Sequence, residues 1–526
     1  MDVTPLDPHM PLPDDVPTLQ ALVRQLLAEL AQLRADHAAL QSKLDQALRH
    51  RFGRRSERRP RQESCVSVPA SATGTGHGRA VLPAHLERRA VVQDLSEAEK
   101  LCPCCGQPRV CIGTQTAEQL DLEPARFFVL RTLKKSYACR HCDPEVVPPE
   151  QRLVTAGPAQ VGPIAKGLCG PGLLAHAITA KFADHTPLHR LAGQLSRSGV
   201  SVARSTLGDW LAAAADLLTP LVDLMHQRLL GSRVVHADDT PVRFRLPGVD
   251  RARTGHLWVC IGDADFPYTL FDFTADYKAA GPLQFLAGYH GYLQADALAQ
   301  YEGLYADGAV QHVCCWAHAR RKFVAARDSG DARAEEALVL IRQLYNVERE
   351  LPPLLGPSDE PEREPQRRQA EEQRRVQRQR NARPILDELR AWLECGRGAV
   401  LPKSPLGQAI TYAVNHWSAL GRYLDQGYLA IDNNLSERTL RAIALGRNNW
   451  IVAGSIQGGR TAAVLYSVVS TCKHLGLDPF VYLREALPAL FALGEKPTAE
   501  QLLDWLPDRW HIRRARASPI VADAAS

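Results

Sequence analysis

The sequence predicts a multidomain α/β protein. A mixed-sheet core with a large all-helical insertion is preceded by a coiled coil, a zinc-binding module and a helical, helix-turn-helix-like domain. Three observations predict it. Strand-like runs crowd residues 232 to 314 and stop at Phe323, where long helical patterns take over. Two Cys-x-x-Cys pairs stand upstream of the strands, and a leucine heptad stands upstream of those. With 526 residues, 45% of them hydrophobic, the chain can bury more than one core.

The first element is a helix over 1–50. Leu19, Val23, Leu26, Leu30, Leu33, His37, Leu40 and Leu44 alternate spacings of four and three, the a/d pattern of a coiled coil. The same spacing would also suit a helix packed on its own protein. "RHRFGRRSERRPR" follows, with seven arginines between Arg49 and Arg61, and opens a basic segment and linker over 51–95. A charge run is usually a solvated face. Here Arg51, Arg54 and Arg55 follow a candidate dimer helix, and a polyanion such as DNA is the expected partner.

A four-cysteine zinc module is expected over 96–150. Cys102 and Cys105 form one Cys-x-x-Cys, and Cys139 and Cys142 the other. Two such turns complete a tetrahedral site for one structural Zn²⁺. Cys104 and Cys111 are further thiols, and free core cysteines are the alternative reading. Strand-like residues such as "RFFVLRTLKKSYA" suggest a hairpin between the pairs. The net charge is +5, no apolar run is long enough to span a membrane, and "MDVTPLDPHMPLPDD" lacks the features of a signal peptide. A cytoplasmic protein with thiols rather than disulfides is expected.

Residues 151–228 read as a helical DNA-binding domain. "PGLLAHAITAKFA", "PLHRLAGQLSR" and "ARSTLGDWLAAAADLL" are its helices. The turn "SGVSV" separates the last two, with Ser201 or Ser205 as N-cap. A catalytic domain over 229–475 follows. "RVVHADDTPVRF", "GHLWVCIGD" and "YTLFDFTAD" suggest a meander. "YKAAGPLQFLAGY" suggests a helix, and "GYLQADA" and "AVQHVCCWAHA" further strands. Helices over about 324–425 form the insertion. The charged run "EREPQRRQAEEQRRVQRQR" within it reads as a solvated face, with DNA contact as the sharper alternative. A helical tail over 476–526 ends the chain.

Three carboxylates carry the expected chemistry. Asp238 and Asp239 follow the apolar pair Val234-Val235, and Asp296 ends the run "YLQAD". Glu437 lies on a helix from Asn433 to Leu445, capped by Asp432 or Asn433 and ended by Gly446. Asn433, Glu437 and Arg441 then share one face. Alone, each acid is most often a cap or a surface residue. Together they need cations, and oxygen donors select Mg²⁺ or Mn²⁺. Two such ions suit phosphodiester chemistry. Trp316 and Trp450 read as core, and His318 reads equally as a buried or a functional histidine.

These motifs carry a resemblance. The chain resembles the transposases of the insertion sequence sixty-six family, of the DDE type, over nearly its whole length. "RFGRRSER", "CPCCG … YACRHC", "HADDTPV", "GYLQADALAQYEGL", "CCWAHARRKF", "IDNNLSERTLRAIALGRNNWIVAGSIQGG" and "STCKHLGLDPFVYL" follow in the family's order. The resemblance implies an RNase H-like catalytic core with its DDE triad on Asp238, Asp296 and Glu437. Asp239 stands where the family usually has Glu. His236, His318, Asn434, Arg320, Arg321, Arg438 and Arg447 lie in the matching motifs, and these arginines, with Arg441, are expected near DNA phosphates. The resemblance further implies a bacterial insertion-sequence transposase that binds terminal inverted repeats and target DNA. It is expected to act as a homodimer or higher oligomer, with small accessory proteins as further partners. The rivals are a non-catalytic or domesticated zinc-containing DNA-binding protein and an RNase H-like nuclease.

Overall fold

The computed structural model describes residues 15–52, 127–128, 136–138, 153–155, 163–164, 169–356, 363–450 and 452–517. It has two compact units, Met1–Gly53 with Thr132–Ser526, and Arg54–Arg131. Only Phe127 and Phe128 are described in the second unit, and both are exposed. Cys102, Cys105, Cys139 and Cys142 lie outside the described residues, as do Arg54 and Arg55. Of the expected hairpin, Ser136–Ala138 is a short strand, and it pairs antiparallel with Leu153–Thr155.

The heptad region is one helix, α1 (Val16–Phe52), which includes Arg51. Val23, Leu26, Leu30, Leu33 and Leu40 of the a/d positions are exposed. Among the described residues no helix is long and apolar enough to cross a membrane.

Three helices follow, α2 (Pro171–Phe182), α3 (Leu188–Arg197) and α4 (Arg204–Leu229). Gly199, at φ 82°, turns the chain between α3 and α4, a conformation that glycine adopts without steric cost. Neither Ser201 nor Ser205 is the cap. The chain enters α4 extended at Ala203, which offers no side-chain acceptor, and Ser205 falls inside the first turn. α4 buries Leu207, Trp210, Leu211, Leu218, Leu221 and Met225, so it is a core helix along most of its length.

The sheet has five strands: β1 (Val234–Phe244), β2 (Arg253–Ile261), β3 (Thr269–Thr274), β4 (Gly291–Ala295) and β5 (Val310–Cys314). Their order is β3-β2-β1-β4-β5. β1 to β3 form an antiparallel meander, whereas β4 lies parallel to β1 and β5 parallel to β4. The parallel half needs crossovers. The helix α5 (Ala280–Phe285) supplies the first, and a 3₁₀ turn, Ala299–Tyr305, supplies the second. The last strand-like run divides: β5 ends at Cys314 and α6 (Trp316–Asp328) begins.

The strand β1 feeds two apolar cores. Val235 and Ala237 join a core built with α2–α4 and the helices after Ile456. Val234 joins a second core with Val313, Trp316 and the helices after α6. Trp316 is fully buried and Trp450 packs on the first core, as the sequence suggests. The second core draws on α7 (Ala334–Glu350), α9 (Arg383–Ala399), α10 (Pro405–Asn415) and α11 (Trp417–Gly421), whereas α8 (Arg363–Asn381) buries only two arginines. His416 separates α10 from α11.

The charged run is α8, and it is not simply a solvated face. Arg378 is fully buried and Arg367 nearly so. Arg378 forks onto both oxygens of Glu348 at 2.7 Å. It also donates to the carbonyls of Tyr423, Gln426 and Leu429, each at 2.8 Å. Arg367 grips Asp265 with two bonds, and Arg233, just before β1, grips Glu371 with two more. Burial of these cations is tolerated because each has a carboxylate partner, and Arg378 has carbonyls as well.

Glu437 lies on α12 (Asn434–Trp450). Gly446 does not end it. It sits mid-helix, where an added Cβ would stand 2.9 Å from His185 Nδ1. The glycine marks a close approach rather than a cap. Gly446→Val is expected to lower stability by about 1–3 kcal/mol, read by thermal melting, because the overpacked branch must displace His185. The chain ends in α13 (Ile456–His474), α14 (Pro479–Ala492), α15 (Ala499–Leu503) and α16 (Pro507–Ala517).

Candidate active site

The sheet sets two of the sequence-predicted acids on neighbouring inner strands, Asp238 within β1 and Asp296 just after β4. The parallel ladder ends at His236 and Gln294; Asp238 and Asp296 each follow two residues on, near enough for the Asp296 charge to act on Asp238. The first turn of α12, which packs on β1, brings Glu437 to them. Burial pushes the Asp238 carboxyl up to about 7, and the charges of Asp296, Asp239 and Glu437 push in the same direction. Burial also raises Asp296, against the pull of His318, and Asp239 and Glu437 add to the rise. Asp238 and Asp296 thus ionise less readily than free carboxyls, because they are buried among other acids.

Asp239 is held differently. His256 Nδ1 lies 2.6 Å from one of its oxygens, and the Tyr277 hydroxyl donates to the other at 3.2 Å. His256 and Tyr277 stack at 3.9 Å. Asp238 Oδ1 accepts the backbone N–H of Asp239 at 2.8 Å. Neither His256 nor Tyr277 carries a sequence signal. They are single polar residues in a strand and in a loop.

Asn433 knots the site together. Its Oδ1 accepts from His236 Nδ1 at 3.0 Å, and its Nδ2 donates to the Ala237 carbonyl at 2.8 Å. Its backbone N–H donates to Cys315 Sγ at 3.1 Å. Burial holds His236 down at about 4, so the ring is neutral at pH 7 and donates through Nδ1. One residue thereby ties β1, the start of α6 and the start of α12. Capping falls to Asp432, which accepts from the Asn434 backbone N–H at 3.2 Å and from Asn434 Nδ2 at 2.6 Å. Asn433→Ala is expected to cost about 1–3 kcal/mol in a denaturant melt, since it strands buried polar partners. An unchanged melt would show that the knot carries no strain.

The predicted arginines separate into two groups. Arg321 contacts Glu437 Oε2 and donates to His318 Nε2 at 3.2 Å. Arg447 donates from one nitrogen to Thr240 Oγ1 and the Pro241 carbonyl, both at 2.8 Å, and so pins α12 to β1. Arg320 is half-buried, whereas Arg438 and Arg441 are exposed on α12. His318 is half-buried beside Glu437, with its Nδ1 3.6 Å from Glu437 Oε1, and burial lowers its affinity for a proton.

Asp238 and Asp296, both raised chiefly by burial, and Glu437 offer oxygen donors alone, and Glu437 Oε1 is buried without a hydrogen-bond partner. That donor set fits a hard divalent cation.

Residues 166–461 match the family described as "Transposase IS66 family", and residues 99–143 match the "zinc-finger binding domain of transposase IS66". The first match implies a DDE-type enzyme that uses divalent metal, and the second implies zinc. The curated protein y4jD of Sinorhizobium fredii, described as uncharacterized, is 31% identical over 95% of this chain and 98% of its own length. From the same organism, y4hP is 29% identical over 92% of this chain and 91% of its own. On this match across most of its length, the chain belongs to the IS66 family of transposases.

Proposed function

We propose that the protein binds the terminal inverted repeats of its own element, cleaves the DNA ends and joins the freed 3′-hydroxyl to target DNA. The observation that supports this reading is that Asp238 on β1, Asp296 just after β4 and Glu437 in the first turn of α12 are near enough for the charges of Asp296 and Glu437 to act on Asp238 and that of Glu437 to act on Asp296. The strand order β3-β2-β1-β4-β5, with one antiparallel and one parallel half, supports an RNase H-like core.

In this reading Asp238, Asp296 and Glu437 hold two Mg²⁺ or Mn²⁺ ions. When bound, such ions activate the attacking oxygen and stabilise the leaving one. Asp238 is the primary ligand of the adjacent pair, because His256 and Tyr277 already engage Asp239. Hydrolysis at each element end leaves a 3′-hydroxyl, which attacks target DNA in line, with no covalent protein intermediate. Exposed Arg438 and Arg441, with Arg320 and Arg321, draw the phosphates in. Arg51, Arg54 and Arg55 add sequence-independent affinity. Arg447 serves first as a tie between α12 and β1. Cys102, Cys105, Cys139 and Cys142 hold one Zn²⁺. The exposed leucines of α1 pair two copies, which brings two DNA ends together. The protein works in the bacterial cytoplasm, with small accessory proteins of the same element as partners.

The test uses purified protein, Mg²⁺ and labelled end DNA. Asp296→Asn is expected to lose cleavage and strand transfer by roughly 10³-fold or more, with DNA binding retained. Strand transfer that survives in this variant contradicts the assignment. Cleavage without joining in the native protein favours the nuclease.

A further inference from the structure

Beside Glu437 lies a cluster that the proposed DNA chemistry does not use. Cys315 is the N-cap of α6 and His318 lies in its first turn, in Cys-x-x-His spacing. Glu437 faces them from the first turn of α12. Donor atoms of the three lie within 4.8 Å of one another, the one such grouping among the described residues. Two of these atoms are orphans. His318 Nδ1 and Glu437 Oε1 are both buried without a hydrogen-bond partner, and they face each other at 3.6 Å. That is too long for a hydrogen bond. The third donor, Cys315 Sγ, accepts the Asn433 backbone N–H at 3.1 Å. Such an outer contact orients a metal-binding side chain.

The donor set differs in kind from the three carboxylates. One sulfur, one imidazole nitrogen and one carboxylate oxygen suit Zn²⁺ and similar ions, which bind sulfur at about 2.3 Å and nitrogen at about 2.0 Å. A tetrahedral ion with those bonds holds its donors roughly 3.5 Å apart, so closure needs about 1 Å of movement. Arg321 stands in the way, on Glu437 Oε2 and His318 Nε2. Its side chain is 44% exposed and has water to swing into. His318 then carries its proton on Nε2 and offers Nδ1 to the ion.

We propose that Cys315, His318 and Glu437 form a zinc-class site separate from the four-cysteine module, and that zinc held there withdraws Glu437 from the Mg²⁺ or Mn²⁺ set. The withdrawal rests on the function proposed above, whereas the binding does not. Full-length protein is equilibrated with Zn²⁺, desalted, and its zinc counted by mass spectrometry. The native chain is expected to hold one zinc more than Cys315→Ser and one more than His318→Gln. Equal zinc in all three overturns the site. Circular dichroism establishes that each variant is folded, and His318→Gln decides the matter if Cys315→Ser is not. Mg²⁺-supported cleavage is then titrated with Zn²⁺. Cys315→Ser is expected to need at least about ten-fold more zinc for inhibition. Equal sensitivity, with the extra zinc present in the native chain, overturns the sharing of Glu437. No cleavage by the native protein at any zinc level counts against the proposed function and leaves the zinc count standing.

Discussion

Metal-free protein carrying Asp238→Asn is expected to melt higher than the native protein at pH 8. In the fold the Asp238 carboxyl sits at about 7, against 3.8 in its ordinary surroundings. A carboxyl raised by folding favours the protonated form, so the folded state binds the extra proton. Native stability from this group is greatest below about pH 4 and falls as pH climbs to about 7, above which the buried charge is fully present. A rise of this size corresponds to roughly 4 kcal/mol, and the half-buried position brings the expected gain to about 2–4 kcal/mol. Asparagine removes the charge and still accepts the Asp239 N–H. The gain is therefore expected at pH 8 and to vanish near pH 4. Mg²⁺ is expected to raise the melting temperature of the native protein and to do far less for the variant. An equal or lower melting temperature for Asp238→Asn at pH 8 would show that the carboxylate is not under electrostatic load.

The second large effect lies far from the acids in sequence. Arg378→Met is expected to destabilise the helical insertion by about 3–5 kcal/mol, because it leaves Glu348 buried beside only the longer contact from Arg374. It also frees the carbonyls of Tyr423, Gln426 and Leu429, which lie in the stretch leading to α12. Activity is expected to fall with stability, since that stretch delivers Glu437. Arg378→Lys cannot fork onto Glu348 and reach three carbonyls at once, so it is expected to rescue little. Denaturant melts of both variants decide the matter. A melt unchanged by Arg378→Met would mean that this arginine is as dispensable as a solvated one.

The apolar runs before Asp238 and Asp296 made their strands legible, because a buried strand announces itself by composition; Asp296 does follow the end of β4, whereas β1 runs on past Asp238 to Phe244. Helical spacing did the same for Glu437. The sequence did not reveal what α8 does. A run of alternating acids and arginines looks the same whether it faces water or a shell of carbonyls, and burial of Arg378 depends on residues about fifty positions away. Gly446 misled for a similar reason. A glycine after a helical stretch signals a cap, and the close approach of His185 from another part of the chain leaves no local mark. Asn433 was visible only as a cap candidate. Its partners, His236, Ala237 and Cys315, come from two other elements. His256 and Tyr277, which occupy Asp239, were silent altogether. Side-chain partners across a sheet are set by register, and register is weakly written in single polar residues.

The most direct test of the shared carboxylate site is a crystal structure of the full-length protein grown with Mn²⁺, with the ions located by anomalous scattering. The expected result is manganese peaks coordinated by the carboxylates of Asp238, Asp296 and Glu437, with Arg321 displaced from Glu437. Peaks elsewhere, with Asp238 and Asp296 bound to no ion and Glu437 still paired with Arg321, would contradict it.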